Sequence, residues 1–190
     1  VMVGPAVLTF VKELGEFYGG RGPKLFGFLD SLEAVDMASP GLEFLEGSHF
    51  WEGMPRYLQP EASDAERTYR AAVGLDDNGA AINDPRDIST NAHMFGCWET
   101  LHIIKRSMEA AGYRGIEDRQ KLIEATEAIT TMDEGFEHPQ GPKRFDGRIH
   151  QVFGTQNVSV VEDGRLRVVH KTSIEDGMYE PEADYTKQSF

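Results

Sequence analysis

An Asp-Gly pair in the last third of the chain places the strongest constraint on the fold. Asp163 and Gly164 separate two apolar runs, at residues 158–161 and 166–169. Both central residues of a tight type I′ turn need positive φ, which aspartate and glycine tolerate, so this pattern predicts a β-hairpin. Residues 138–147, just upstream, are rich in proline and glycine. We therefore expect the chain to pass from one packed body to another before it forms its last strands.

The first 29 residues alternate between strand-like and helix-like patterns. Residues 1–3 and 25–29 are short apolar runs, and the segment between them carries apolar residues at helical spacing. Pro5 suits the first turn of this helix, and Gly19-Gly20 suits its end. The pattern predicts a βαβ unit with parallel strands and a right-handed crossover, which indicates an α/β fold. The apolar helix positions are Val7, Phe10, Val11, Leu14 and Phe17.

Small and polar residues follow both of these predicted strands. In open α/β sheets, ligands bind just beyond the carboxyl ends of the strands. Ala6 follows the first strand, and Asp30 and Ser31 follow the second, so all three are candidate ligand-binding residues. An alternative is that Asp30 or Ser31 caps a short helix at residues 32–38, and the two roles are compatible.

The middle of the chain predicts a crossing followed by helices. A strand near residues 47–52 ends before Met54-Pro55, where the chain leaves the sheet. Ser63 and Glu66 form a capping-box pattern, in which each side chain bonds the backbone of the other residue at the start of a helix. Two more helical patterns cover residues 90–110 and 118–129. The apolar side of the longer one is Ala92, Phe95, Cys97 or Trp98, Leu101, Ile104 and Met108.

Aromatic residues gather near the predicted crossing. Trp51 lies just before it, and Phe95 lies near the start of the longest helix. Ligand pockets favour aromatic walls and domain interfaces, so both residues are candidate ligand contacts. Core packing is the alternative for each of them.

Composition and motifs exclude several classes of function. A net charge of −13 argues against nucleic acid and against anionic membranes as partners. No apolar run approaches the roughly 20 residues that a membrane-spanning helix needs. No two histidines have i, i+4 spacing, Cys97 is the single cysteine, and no Gly-x-Ser-x-Gly motif occurs. We therefore predict no catalytic residue, no metal site and no cofactor.

Short segments along nearly the whole chain share an order and a spacing that are more specific than any one of them. They are Gly4-Pro5, Phe10-Val11-Lys12, Phe26-Gly27, Glu46-Gly47, Met94-Phe95-Gly96-Cys97, Ala110-Ala111-Gly112, Pro139-Gln140-Gly141, Phe145-Asp146, His150-Gln151 and the closing hairpin. In this order and spacing the chain resembles the C-terminal half of type I periplasmic binding proteins, the branched-chain amino acid and amide receptors of ABC importers. Because the chain begins inside a predicted strand, we expect it to be a fragment or a mature piece of a longer protein.

The resemblance implies two α/β lobes, with parallel sheets flanked by helices, joined by three crossings around a ligand cleft. Residues 1–54 would belong to lobe 2, residues 55–143 to lobe 1, and residues 144–190 to the closing strands of lobe 2 and a surface tail. The family's ligand positions in lobe 2 match Ala6 and either Leu29 or Asp30. Amino-acid binders often have an aromatic residue at the first position and an acid, which pairs with the ligand ammonium, near the second. Ala6 departs from that pattern.

The resemblance also implies a function. The chain would be an extracytoplasmic, periplasmic solute receptor that closes on a small amino acid, amide or aromatic acid and does not react with it. Its partners would be the membrane permease and the missing N-terminal half of the same protein. Two alternatives remain open: a ligand-sensing domain of a receptor or regulator, and an α/β enzyme that uses Asp30 beside Ser31.

Overall fold

A computed structural model describes residues 5–28, 37–87 and 91–187, and the chain forms two compact units. Unit 1 comprises Val1–Met94 with Gln156–Thr172, and unit 2 comprises Phe95–Thr155 with Ser173–Phe190. The predicted division into lobes at residues 54/55 and 143/144 stays a prediction. Among the described helices, none combines the length and the apolar character needed to cross a membrane. The helices and strands are α1 (Pro5–Phe17), β1 (Phe26–Phe28), β2 (His49–Glu52), α2 (Asp64–Val73), α3 (Asn91–Ala111), α4 (Arg119–Glu127), β3 (Thr131–Met132), β4 (Lys143–Asp146), β5 (Gln151–Gly154), β6 (Asn157–Glu162) and β7 (Arg165–Lys171).

A four-stranded sheet forms the centre of unit 1, in the order β1-β2-β6-β7. β1 and β2 are parallel, with Phe26 opposite His49, and the remaining neighbours are antiparallel. Strands that adjoin in this sheet are therefore far apart in the sequence: β2 and β6 are separated by α2, α3, α4 and the whole of the second sheet. The predicted strand at residues 1–3 lies outside the described residues.

The closing hairpin confirms the prediction from Asp163-Gly164. Glu162 pairs with Arg165 across the turn, and the two turn residues have φ of 52° and 70°. These positive values are those of a type I′ turn, whose twist matches that of the flanking strands. The tip also packs closely, because a Cβ atom added at Gly164 would lie 3.0 Å from the Cβ of Ala38.

The hydrophobic core of unit 1 lies between one face of this sheet, α1 and the loop around residues 37–45. α1 presents Val11 to the core, and Val7 and Leu14 pack beside it. The predicted apolar stripe of α1 is wrong at Phe10 and Phe17, which are 44% and 81% exposed. Only part of the apolar side of the helix contacts the described core, so these two rings remain outside it. The buried core residues are Val11, Met37, Leu42, Phe44, Leu45, Phe50, Tyr57, Val161 and Leu166.

Unit 2 combines α3 and α4 with a three-stranded antiparallel sheet, β3-β4-β5. The predicted apolar side of α3 is partly wrong, because Leu101 and Ile104 are exposed whereas Glu99 and Ser107 are buried. Of the two alternatives Cys97 and Trp98, Cys97 is exposed and Trp98 is half-buried. The helix instead directs Glu99 toward Lys143 of β4, and both side chains of this ion pair are buried. The ion pair, rather than the spacing of apolar residues, decides which face of α3 is turned inward.

Residues 173–187 belong to unit 2 and are mostly exposed. The backbone N–H of Tyr185 donates to the carbonyl of Arg148 over 2.6 Å. Glu180 pairs with the same arginine at 2.9 Å, and Tyr179 packs edge-on against Phe153. These contacts attach the tail to the turn between β4 and β5.

Candidate functional site

The carboxyl ends of β1 and β2 define the candidate site in unit 1. The two strands are parallel and in register, with Phe28 opposite Trp51, so both end at the same edge of the sheet. Such an edge is where ligands bind in open α/β sheets. The candidate residues Leu29, Asp30 and Ser31 come directly after β1 and lie outside the described residues.

Two partly exposed aromatic rings, one near the start of β1 and one near the end of β2, lie on the parallel pair. Trp51 is 36% exposed, and its ring lies 5.2 Å from that of Phe26 in an edge-on arrangement. Phe26 is 68% exposed. An edge-to-face pair of this kind is a favourable contact, and it leaves part of each ring exposed to solvent.

The other two candidates occupy different places. Ala6 is exposed at the start of α1. Phe95 is half-buried in α3 and belongs to unit 2. Trp51 lies opposite Phe28, the last residue of β1, whereas Phe95 belongs to the other unit. The assignment of all six residues to a ligand stays a prediction.

Glu52, which the sequence reasoning missed, is the last residue of β2 and is 4% exposed. Ser159 of β6 donates a hydrogen bond to its Oε1 atom. Burial raises the pKa of Glu52 to about 7, although bonds from Ser159 and from the backbone N–H of Arg56, and the charge of Arg70, favour its ionised form. A carboxyl in such an environment at a strand end is a candidate functional group.

A signal for Glu52 is present in the sequence. β2 alternates with a period of two, and Phe50 and Glu52 occupy its two buried positions. The next inward-facing position after Phe50 is therefore occupied by an acidic residue, Glu52. Alternation alone would have placed its carboxyl inside the protein, although it would not have revealed the serine partner 107 positions away.

Arg70 of α2 is hydrogen-bonded to the segment that follows β2. Its guanidinium is buried, pairs with Glu66 at 2.8 Å, and donates to the carbonyls of Arg56, at 2.9 Å, and Pro55. The predicted N-cap is confirmed, since Ser63 accepts from the backbone N–H of Glu66 at 3.1 Å. The other half of the capping box is replaced, because the Glu66 carboxylate pairs with Arg70. α2 is thereby fixed to the crossing that follows β2.

A second buried polar cluster lies in unit 2. Lys143 Nζ is 3.4 Å from Glu99 Oε2, and both side chains are about 6% exposed. The backbone N–H of Gln140 donates to Glu99 at 3.0 Å. Burial raises the pKa of Glu99 and lowers that of His138, whose side chain is close by in the same connector. This cluster fastens the proline- and glycine-rich connector to α3, because a buried charge requires its partner.

Neither cluster has the composition of a metal site. Within residues 5–28, 37–87 and 91–187, no group of three or more histidine, cysteine, aspartate or glutamate side chains is placed to hold a metal ion. In the loop at residues 76–80, Asp76 Oδ1 accepts from the backbone N–H groups of Asn78 and Ala80, each at 2.8 Å. That carboxylate closes a turn.

The comparisons with known proteins identify the fold. The sequence matches no protein-family model and no curated protein. A solute-binding protein of an ABC transporter from Rhodopseudomonas palustris BisB5, in complex with 3,4-dihydroxybenzoic acid, matches with a TM-score of 0.64 at 17% identity, over 92% of this chain and 44% of that one. Its counterpart from strain HaA2, with p-hydroxybenzoic acid, gives 0.62 at 21% identity, over 90% and 43%. A leucine-binding protein from Thermotoga maritima gives 0.57 at 18% identity, over 90% and 43%.

The chain has part of the type I periplasmic-binding-protein fold. This confirms the resemblance predicted from the sequence, at the level of the fold. The chain spans less than half the length of the solved structures that it matches. In unit 1, the parallel pair β1–β2 carries the partly exposed rings of Phe26 and Trp51, and the buried side chain of Glu52 lies on the opposite face of the sheet.

Proposed function

We propose that the chain is part of an extracytoplasmic, periplasmic solute-binding protein of an ABC importer. Its solute would be a small amino acid, amide or aromatic acid. The supporting observation is the agreement in fold over 90% or more of the chain with solute-binding proteins of ABC transporters. The molecules named for these neighbours, hydroxybenzoic acids and leucine, share a carboxylate.

The proposed ligand contacts come from both lobes. Lobe 2 would contribute Ala6, Leu29, Asp30, Ser31 and Trp51, and lobe 1 would contribute Phe95, with the lobe boundaries near residues 54 and 143. The solute would favour the closed state by its extra contacts there, and the closed state would be recognised by the permease. The solute would leave the protein chemically unchanged.

Asp30 distinguishes the two ligand classes. An amino acid carries an ammonium group that a carboxylate at this position would pair with, whereas a hydroxybenzoic acid carries none. Removal of the Asp30 charge should therefore weaken binding of an amino acid. The same change should leave binding of an aromatic acid unchanged or strengthen it, because it removes repulsion between two carboxylates.

The test is a thermal-shift screen of the protein expressed from its complete gene, against hydroxybenzoic acids, branched-chain amino acids and amides. A ligand at 100 times its Kd stabilises the native state by about 2.7 kcal/mol, which is a clear rise in Tm. Asp30→Asn is compared with Asp133→Asn, a change at an exposed aspartate of unit 2. Mass spectrometry of the released solute then shows whether it has been altered.

Each outcome decides between functions. A rise in Tm for one class, with recovery of the intact molecule, supports the receptor and names its ligand. Conversion of the added molecule would establish an enzyme instead. A complete gene that joins this fold to a signalling segment would favour a sensor over an importer component. No rise for any of the three classes would contradict the proposed solute.

A further inference from the structure

An apolar cavity of about 510 Å³ lies in unit 2. Its described lining falls between residues 103 and 152, so it is formed entirely within this unit, by α3, α4 and the hairpin of β4 and β5. Small-molecule pockets typically have volumes of about 300–1,000 Å³ and mostly apolar walls. The apolar part of the lining consists of Ile103, Leu122, Ile123, Phe145 and Val152.

Most polar groups of the lining are engaged by the protein itself. The Thr126 hydroxyl donates to the carbonyl of Leu122 at 2.8 Å, and the Gln151 amide donates to the carbonyl of the next residue at 3.1 Å. Asp146 pairs with Arg148 at 2.6 Å. A polypeptide segment would bring a backbone N–H and C=O with each residue, and these groups would find few partners here. The cavity therefore suits a small molecule with few polar atoms.

His150 supplies the polar group that remains available. Its Nε2 atom lies 2.7 Å from Glu127 Oε1. A carboxylate only accepts hydrogen bonds, so Nε2 carries the proton in this pair, and Nδ1 of the neutral ring has a free lone pair. Among the residues that the structure describes, none donates a hydrogen bond to Nδ1. The ring can therefore accept one hydrogen bond from a ligand.

The residues around the His150 ring hold it in place. The Tyr185 ring lies 6.0 Å from it, and the backbone N–H of Tyr185 donates to the carbonyl of Arg148. A Cβ atom added at Gly147 would lie 2.6 Å from the carbonyl oxygen of Glu127, so the turn of the hairpin fits closely against the end of α4. A cavity with walls fixed in this way is formed before a ligand arrives, which lowers the entropy cost of binding.

The charges around the cavity favour an uncharged ligand. His150 is the one basic residue in the described lining, and it pairs with Glu127. Arg148, in the adjoining turn, pairs with both Asp146 and Glu180. A carboxylate that left water for this apolar cavity would lack a cationic partner there, which is costly.

We propose that this cavity binds a small uncharged apolar molecule with one hydroxyl group, such as a simple phenol, whose hydroxyl donates to His150 Nδ1. The apolar body of the ligand would be removed from water by the apolar walls, and its hydroxyl would find the acceptor that the walls lack. The described lining contains none of the residues proposed above as solute contacts, so occupation of this site does not depend on the identity of that solute.

The experiment is calorimetric titration of the protein expressed from its complete gene with p-cresol and, separately, with toluene, which lacks the hydroxyl. His150→Asn removes the acceptor nitrogen. His150 has φ of 54°, a left-handed conformation that asparagine also adopts, so the turn should be retained. We expect this change to weaken binding of p-cresol by about threefold to tenfold, the value of one hydrogen bond, and to leave that of toluene nearly unchanged. His170→Asn, at an exposed histidine of β7, is the control.

A second pair of variants tests the cavity itself. Ile123→Trp places a large ring in the cavity and should weaken binding of both compounds by roughly tenfold or more. Ile116→Trp introduces the same ring at a position that is 70% exposed and outside the described lining, so it should leave binding unchanged.

Loss of p-cresol binding in both His150→Asn and Ile123→Trp, with both controls unaffected, supports the site. Absence of binding of both compounds at millimolar concentration overturns the proposal, and so does an equal effect of Ile123→Trp and Ile116→Trp. An equal loss for toluene and p-cresol in His150→Asn contradicts the hydrogen bond to His150. The thermal shift produced by the cleft solute should persist in Ile123→Trp, so failure of one proposal is separable from failure of the other.

Discussion

At the scale of the residue, Glu52 shows how position in a strand changes the chemistry of a side chain. The sequence analysis identified Trp51 as a candidate because it is aromatic and passed over its neighbour, although the alternation along β2 places Glu52 inward. Its partners, Ser159 and Arg70, come from other elements. Long-range contacts of this kind cannot be read from local pattern, so the raised pKa became visible only in the folded chain.

The pKa of Glu52 predicts a specific pH dependence of stability. Its value is about 7 in the native state and is expected near the ordinary 4.5 in the unfolded state. Between pH 4.5 and about pH 7, the native state holds a proton on Glu52 that the unfolded state has released. The contribution of Glu52 to the free energy of unfolding therefore falls as the pH rises and reaches its minimum above about pH 7. Glutamine at position 52 carries no charge at any pH. Glu52→Gln should therefore gain stability relative to wild type from pH 5 to pH 8, by on the order of 3 kcal/mol at about 1.4 kcal/mol per pKa unit.

The measurement is urea unfolding of both proteins at four pH values in this range. Glu13→Gln serves as the control, because it replaces one carboxylate by an amide at an exposed position of α1. Parallel stability curves for Glu52→Gln and wild type would show that Glu52 titrates normally.

At the scale of the element, prediction succeeded where the determining contacts are local. The hairpin at Asp163-Gly164 and the cap at Ser63 depend on residues within a few positions of each other. The prediction of the inward face of α3 was wrong because that face is decided by the ion pair between Glu99 and Lys143. Lys143 lies on β4, 44 positions from Glu99 in the sequence. Helical spacing of Leu101 and Ile104 gives no information about such a partner.

The hairpin turn predicts a difference between two substitutions. Asp163 has φ of 52°, which asparagine adopts readily and a β-branched residue does not. Asp163→Val should destabilise the protein by about 1–2 kcal/mol, the cost of the left-handed conformation, whereas Asp163→Asn should be close to neutral. Thermal or urea unfolding of the two variants beside wild type gives the comparison. Equal stability of both variants would mean that the turn adopts another conformation.

At the scale of the whole molecule, the order of the elements was sufficient to predict the fold, whereas the predicted ligand contacts stay a prediction. Type I topology is encoded in many weak segments spread over the chain, from Gly4-Pro5 to the closing hairpin, and their order restricts the architecture even when each is unspecific. A binding site depends on a few side chains brought together from distant elements. Trp51 and Phe95, for example, are both aromatic residues near the predicted crossing, yet they belong to different compact units.

The chain covers less than half of the structures that it matches, and this predicts how the 190-residue polypeptide behaves by itself. It matches 43–44% of the length of type I structures, and α/β sheets normally have both faces covered. Among the described residues, the buried hydrophobic cluster lies in unit 1. Unit 2 instead contains an apolar cavity of about 510 Å³. Its apolar lining is Ile103, Leu122, Ile123, Phe145 and Val152.

We therefore predict that the isolated polypeptide self-associates at micromolar concentration and binds anilinonaphthalene sulfonate, because large exposed apolar surfaces favour both. Ile123→Gln places a polar group in the cavity and should lower dye binding by at least half. Ile116→Gln is the matched control, since Ile116 is 70% exposed and lies outside the cavity lining. Sedimentation and dye fluorescence are measured together on the three proteins. A monomer that melts cooperatively and binds no dye would show that these residues form a complete folding unit, and an equal effect of the two substitutions would place the dye elsewhere.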